Sequence, residues 1–381
     1  MKSLPFYSLM NAWTLSSLNH ASTMPIEFWS KAKEKPPQVI EMKIKVFLIP
    51  RNHEYIKRLR SSLGKVGVQV KLLKPFHYSS LSNLAKIIFY RGKGYRLIHV
   101  HWLYIFPFGL VMKFFYYFCR LLRIKIIWEM HNILPHDYKK SDRRNGKWFY
   151  EKVDAIIFHS ENDVQESKRL LGVNHDKKNI IIPHGNFNES YENGVSKKGA
   201  RKILNIANDK KVILCFGFIR KNRGYEYLIE ATKDMQDTIV IIAGKILEKD
   251  AYNKILDYER QVPNLRIFAK WIPNEEVQLY FNACDIVVLP YTSITTSGVV
   301  PLAYAFSRPV VTTSIGGIKD VVEDNTGILV APNDSESLKN GIIKLLTMDY
   351  EAMGKYAYEY SNRRFNWGFI AGEIKKLYQT V

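Results

Sequence analysis

The chain has 381 residues, 46% of them hydrophobic and 13% aromatic, which suffices for two domains with sizeable cores and excludes a disordered or fibrous protein. Its net charge of +20 is lopsided: residues 1–150 hold 26 Lys/Arg against 7 Asp/Glu, while the remainder is nearly balanced. The N-terminal part therefore faces something acidic, which leaves a membrane, a nucleic acid or an anionic substrate as its partner.

Residues 1–41 lack helix or strand periodicity and read as a flexible extension, with Met42 as an alternative start. From 42 onward strand and helix alternate. KIKVFLI (43–49) precedes a helix over 53–66, VQVKLL (68–73) a helix over 80–91, and RLIHV (96–100) an aromatic helix over 106–122. KIIWEM (125–130) runs into the loop HNILPHD (131–137), DAIIFHS (154–160) precedes a helix over 161–171, and NIIIPHG (179–185) closes this half. Residues 186–200 are polar and aperiodic and read as a linker. The alternation restarts with KVILCFG (211–217), TIVIIAG (238–244), LRIFAK (265–270), DIVVLP (285–290), PVVTT (309–313) and GILV (327–330). Short, continuously apolar strands separated by helices predict parallel sheets covered on both faces. The fold class is α/β, with two Rossmann-like doubly wound domains facing across a cleft, over 42–185 and 201–350. Residues 351–381 are predicted to be helical and to pack back on the first domain. Ligands in such sheets bind at the carboxyl ends of the strands, so the cleft is the expected site.

Residues 104–128 form the most apolar stretch, but Lys113, Arg120, Arg123 and Lys125 interrupt it. A membrane span needs about 20 mostly apolar residues, so a crossing helix is excluded. Two compatible readings remain: a core helix running into a core strand, or a helix lying in a bilayer interface with aromatics inserted and bases against anionic headgroups. Cys119, Cys215 and Cys284 lie far apart in apolar surroundings, which fits reduced core thiols and a cytoplasmic location.

Three constellations carry chemistry. In FGFIRKNRG (216–224) a strand ends at Gly217, Arg220 and Arg223 follow, and a helix opens after Gly224. Fixed cations and a helix N-terminus suit a diphosphate, since arginine clamps phosphate oxygens bidentately; a solvated surface loop is the plainer alternative. In PYTSITTSG (290–298) a buried strand leads into a hydroxyl-rich turn and a helix, so the amides of Ser297, Gly298 and Val299 and the hydroxyls of Thr296 and Ser297 are candidate phosphate donors, or an ordinary helix cap. SIGG (314–317) is a tight turn that lets backbone approach a ligand, a weak signal alone. His99 and His101 alternate on one strand and point to the same face. No carboxylate lies near them in sequence, so non-metal roles are expected, with His101 at the cleft. His131 and Asn132 sit in a loop at the same sheet edge, as do His136 and Asp137, and His184 is expected to support the interdomain turn.

Taken in this order, the blocks 216–231 and 289–330 resemble the donor half of glycosyltransferase family 4, and WEMHNILPHD, HSEND and IPHGNF resemble one branch of its acceptor half. The resemblance implies the GT-B fold and sugar transfer, with retained configuration, from a nucleotide-diphosphate sugar to a glycan or lipid-linked acceptor. It implies that Arg220 and Arg223 hold the donor diphosphate, that Thr296, Ser297 and Gly298 form the turn against the phosphates, and that His131 lies near the reacting sugar and acceptor. No metal and no other cofactor are implied. Many members carry a Glu-x7-Glu pattern here; the matching positions are Ile294 and Leu302, so both carboxylates are missing.

The expected protein is a transferase in polysaccharide or glycolipid synthesis, cytoplasmic and peripherally bound to the inner face of the membrane through its basic domain. A catalytically silent sugar-nucleotide-binding or scaffold subunit is the alternative that the missing glutamates favour. A nucleic-acid-binding protein is disfavoured because the bases are mixed with long apolar runs and no recognised module is present. A sugar-nucleotide epimerase would need a carboxylate-rich cleft, which these motifs do not offer.

Overall fold

The computed structural model describes residues 44–381 apart from 51–52, 77–79, 104–105, 107–108, 135–138, 175–178 and 295. The extension over 1–41, the alternative start at Met42, and His136 and Asp137 lie outside the described residues.

The first domain runs β1 (Lys45–Ile49), α1 (Glu54–Lys65), β2 (Gln69–Leu72), α2 (Ser80–Gly92), β3 (Leu97–Val100), α3 (Gly109–Leu121), β4 (Lys125–Glu129), α4 (Lys140–Lys152), β5 (Ala155–Phe158), α5 (Glu161–Leu171) and β6 (Asn179–Ile181). Its described strands form one parallel sheet in the order β2-β1-β3-β4-β5-β6. The apolar runs alternate between two cores, as strands covered on both faces must. Phe47 and Ile49 pack with Phe115 and Cys119 of α3, whereas Val46 and Leu48 pack with Tyr55 and Leu59 of α1.

The second domain runs α6 (Lys197–Ile203), β7 (Lys211–Phe216), α7 (Tyr225–Thr232), β8 (Thr238–Ala243), α8 (Lys249–Glu259), β9 (Leu265–Phe268), α9 (Asn274–Ala283), β10 (Ile286–Leu289), α10 (Val299–Ala305), β11 (Val310–Thr313), β12 (Gly327–Val330) and α11 (Ser335–Thr347). Its parallel sheet has the order β12-β11-β10-β7-β8-β9. The order reverses direction between β7 and β10, the switch point where α/β sheets open a crevice for ligands.

Residues 186–200, read as a linker, are anchored at several points. Asn186, Phe187 and Asn188 are buried, Asn186 Nδ2 donates to the Ser361 carbonyl (3.0 Å), Asn188 Nδ2 donates to Asn362 Oδ1 (2.8 Å), and α6 begins inside the stretch. Their partners lie on α12 (Tyr350–Arg364), far away in sequence, so local polarity could not reveal them. The closing helix α13 (Trp367–Thr380) buries Trp367, Ile370, Ile374, Leu377 and Tyr378 against α1 and the first sheet. All three cysteines are buried and unpaired. Among the described residues, no helix is long and apolar enough to cross a membrane.

Candidate functional site

The two expected anion-binding loops follow β7 and β10, the strands on either side of the switch point. They are tied to each other: Thr292 N donates to the Asn222 carbonyl (3.1 Å) and Asn222 Nδ2 donates to the Ser293 carbonyl (2.8 Å). Gly224, at φ +64°, abuts the Pro290 carbonyl so closely that a Cβ there would collide with it.

Arg223 is buried and stands at the head of a chain of polar contacts. Its Nη1 donates to Tyr291 Oη (2.8 Å), Tyr291 Oη meets Ser297 Oγ (2.8 Å), and Ser297 Oγ accepts from the Val299 amide (3.2 Å). The guanidinium also lies 4.9 Å over the Tyr291 ring. Gly217, at φ +115°, lies against Arg223 Nη2 and leaves no room for a Cβ. Gly217, Arg223, Ser297 and Val299 thus form one unit, although the Val299 amide is already engaged by Ser297. Gly298 is exposed beside them. Arg220 departs from that unit: it lines a separate hollow of about 570 Å³ with Tyr225, Lys254 and Tyr258 of α7 and α8.

A cavity of about 490 Å³ opens between the two domains. The first domain contributes His159, Ser160 and His184, and the second contributes Thr296, Ser297, Gly317 and Lys319, with Arg364 from α12. Thr296, Ser297 and Gly317 therefore meet in one cleft, whose charged lining is Lys319 and Arg364 with Glu161, Asp320 and Glu323; Arg364 Nη1 lies 3.2 Å from Glu323 Oε1. Thr296 Oγ1 reaches Asp163 Oδ1 of α5 (3.4 Å), a contact between the domains. Burial raises the Asp163 carboxyl above its ordinary value, against the pull of His159 and the hydrogen bonds from Ser160 and Thr296.

Beneath the cleft lies a cluster that the sequence reading missed. Odd-numbered residues at the carboxyl ends of β3, β4 and β5 face α1 and α13, which puts His99, His101, Glu129, His131 and His159 on one side of the sheet. Glu129 is fully buried and is the carboxylate that the His99–His101 pair lacked in sequence. Tyr55 Oη of α1 donates to its Oε1. His99 Nε2 lies 3.0 Å and His101 Nδ1 3.2 Å from Oε2, while His131 Nε2 lies 3.3 Å and His159 Nε2 3.5 Å from Oε1. Tyr378 Oη of α13 lies 2.7 Å from His99 Nδ1. Burial lowers His101 to about 4 and His184 to about 3, and holds His131 well below its ordinary value. Burial alone would raise the Glu129 carboxyl, but the surrounding imidazoles hold it well below its ordinary value.

His131 is therefore a buried member of this cluster, stacked on Trp102 with ring centroids 4.5 Å apart, and His101 lies deeper still. Neither lines the cavity, whereas Asn132 is exposed and His159 and His184 form its wall. His184 Nδ1 donates to the Gly185 carbonyl (2.8 Å). The positions of the missing carboxylates explain themselves by packing: Leu302 is buried in the core beneath the second sheet and Ile294 packs against that core.

Two facing doubly wound domains with the site between them define the GT-B class of fold. The same architecture is found in sucrose-phosphate synthase of Thermosynechococcus elongatus, at a TM-score of 0.71 and 17% identity over 89% of this chain and 98% of that one. It is also found in HepE of Anabaena in complex with UDP and glucose, at a TM-score of 0.68 and 17% identity over 89% of this chain and all of that one. Sequence models of two families match successive parts of the chain: Glycosyltransferase Family 4 over residues 44–185, and Glycosyl transferases group 1 over residues 196–360. The chain belongs to glycosyltransferase family 4. It is 26% identical over 261 residues to a D-inositol 3-phosphate glycosyltransferase of Corynebacterium urealyticum, covering 65% of this chain and 61% of that one. It is 25% identical over 256 residues to a putative teichuronic acid biosynthesis glycosyltransferase, TuaC, of Bacillus subtilis, covering 66% of this chain and 62% of that one. The matched stretch is less than two thirds of these relatives' own length.

Proposed function

We propose that the protein transfers a sugar, with retained anomeric configuration, from a nucleotide-diphosphate sugar to a glycan or lipid-linked acceptor at an anionic membrane surface, in polysaccharide or glycolipid synthesis. The observation that carries this reading is the chain Arg223–Tyr291–Ser297, which ends at the turn lining the interdomain cavity. Negative charge develops on the diphosphate as the glycosidic bond breaks. Fixed cations and preoriented donors at that point stabilise it without reorganising, which is the largest catalytic effect available to such a site. Arg223 polarises the Tyr291–Ser297 contact, Thr296, Ser297 and Gly298 supply donors, and Lys319 adds a cation from the cavity wall. Arg220 remains a proposed diphosphate ligand only if the donor extends to its own hollow. With cations in these places the diphosphate needs no metal. A UDP-sugar is the first donor to try, since the similar HepE structure holds UDP and glucose.

The membrane reading rests on α2 and α3. Leu110, Phe114, Tyr117 and Leu121 of α3 are exposed at helical spacing and form one apolar stripe. Leu81, Ile88 and Phe89 are exposed on α2, and Arg91 Nε of α2 donates to the Leu122 carbonyl just past α3 (2.7 Å). Both helices follow right-handed crossovers in the same direction, so they lie on one face of the sheet. Exposed Lys86, Lys93, Lys113 and Arg123 flank the patch. Apolar residues of this size ringed by bases suit the interface of an anionic bilayer, on the cytoplasmic side.

A second reading, a sugar-nucleotide-binding subunit without turnover, is favoured by the core leucine at 302 in place of a carboxylate. A thermal-shift screen of UDP-, GDP- and ADP-sugars, followed by transfer to acceptors on anionic vesicles, separates the two. Stabilisation with transfer supports the enzyme, stabilisation without it supports the silent subunit, and no stabilisation by any donor sinks both.

A further inference from the structure

The buried cluster under the cleft sets four imidazoles around one carboxylate, which are the donor types of a ligand set. His99 Nε2 and Glu129 Oε2 are 3.0 Å apart, yet neither atom makes a hydrogen bond of acceptable alignment, and both are shielded from solvent. His101 Nδ1 lies 3.2 Å from the same oxygen, and His131 Nε2 lies 3.3 Å from His101 Nδ1 and from Glu129 Oε1. Zinc bonds of about 2.0 Å to nitrogen and oxygen in a tetrahedron put neighbouring donors about 3.3 Å apart, so these separations are those of a coordination shell.

The tautomers point the same way. The Ile182 carbonyl accepts from His159 Nδ1 (2.9 Å), so a neutral His159 presents a bare Nε2. His159 Nε2 then accepts from His131 Nδ1 (3.1 Å), which leaves His131 Nε2 as a lone pair aimed at His101 and Glu129. Among the described residues the groups that could carry positive charge within ion-pair reach of Glu129 are all imidazoles, with no lysine or arginine. A buried carboxylate without lysine or arginine calls for another positive charge. Two of the supports expected around a metal are also in place: Tyr378 orients His99 through Nδ1 and Tyr55 holds the second carboxylate oxygen, while His101 Nε2 is buried without a partner.

We infer that His99, His101 and Glu129, whose donor atoms all lie within 4.8 Å of one another, bind one borderline divalent transition metal ion of the zinc class. This departs from the expectation that the protein uses no metal, and it is independent of the donor site. The ion would be structural: its three ligands are fully buried, and through Tyr378 it would pin α13 to the first domain.

The full chain, stripped with a chelator and dialysed, is titrated with Zn²⁺ by calorimetry and with Co²⁺ by visible absorption. One equivalent per chain, with the intense bands of tetrahedral cobalt and a melting temperature raised by zinc, is the expected result. His99→Gln is expected to lose that equivalent while His184→Gln, outside the donor set, keeps it. If His99→Gln does not fold, absorption spectroscopy at the zinc edge of the loaded wild-type chain must show only nitrogen and oxygen ligands with imidazole scattering. The inference is overturned if a chain that is folded by circular dichroism binds neither ion stoichiometrically. It is overturned equally if binding survives His99→Gln and is lost in His159→Gln.

Discussion

Replacing Tyr291 with phenylalanine removes one oxygen and, with it, both polar contacts that join Arg223 to the cavity turn. Arg223 Nη1 loses its acceptor at 2.8 Å and Ser297 Oγ loses its neighbour at 2.8 Å. The ring stays, so the cation–π contact at 4.9 Å and the core packing of Tyr291 are retained. Leaving a buried, charged donor short of one partner costs about 1–3 kcal/mol. Part of that falls on folding and part on the bound state, in which Arg223 must hold its direction. At about 1.4 kcal/mol per tenfold, donor affinity is expected to fall roughly five- to a hundredfold. Calorimetric titration of the chain with a UDP-sugar, alongside thermal melts of the free protein, measures the two parts separately. An unchanged donor Kd with a lowered Tm would refute the reasoning, because Arg223 would then be a packing residue only.

Asp285 offers a pH test away from the cleft. Burial pushes its carboxyl up, but the hydrogen bonds from Lys197 (2.6 Å) and the Val212 amide (2.7 Å), with the Lys197 and Arg201 charges, outweigh it and hold the carboxyl below its ordinary value. A depressed folded-state pKa stabilises above the unfolded value, near 3.9, and that stability is lost as pH falls through the folded value. Asp285→Asn should therefore cost about 3–5 kcal/mol at neutral pH in denaturant titrations, and the gap to wild type should shrink in acid below about pH 4. A gap that grows in acid would contradict the pairing. Leu302→Glu should destabilise by at least about 3 kcal/mol and give no gain in turnover, since it buries an unpaired carboxylate in the core; a stable, more active variant would show that the packing argument is wrong. Phe114→Glu with Leu121→Glu should abolish flotation with anionic vesicles and leave binding of a soluble donor unchanged, and retained flotation would exclude the α3 stripe as the membrane contact.

The central parallel strands were legible because they are buried on both faces and read as apolar runs, VFLI or IVVL for instance. The helix α4 was not: its sequence, KSDRRNGKWFYEK, gathers its large buried residues, Phe149 and Tyr150, near the end and shows no period. The Arg223–Tyr291–Ser297 unit was half legible. The motif pointed to Arg223 and Ser297, but the tyrosine that joins them is the ordinary residue after a strand, and it acquires its role only from the switch-point topology. Arg220 shares the motif and turns toward α8, a direction set by the loop's path and invisible in composition. Glu129 was hidden for a different reason. It is one letter in the apolar run KIIWEM; its partner Tyr55 comes from a helix 74 residues before it, and Tyr378, which holds His99, from near the end of the chain. A histidine after the third strand, another after the fourth and another after the fifth, at matching parity, was the signal that could have assembled the cluster.

The most direct test of the account is turnover itself. The purified chain is incubated with the donor that stabilises it most, together with glycan or lipid-linked acceptors on anionic vesicles, and nucleoside diphosphate release and the anomer of the product are followed by NMR. The account predicts acceptor-dependent release with the donor's anomeric configuration retained, falling at least about fivefold in Tyr291→Phe. Tight donor binding without turnover on any acceptor, or a product of inverted configuration, would contradict it.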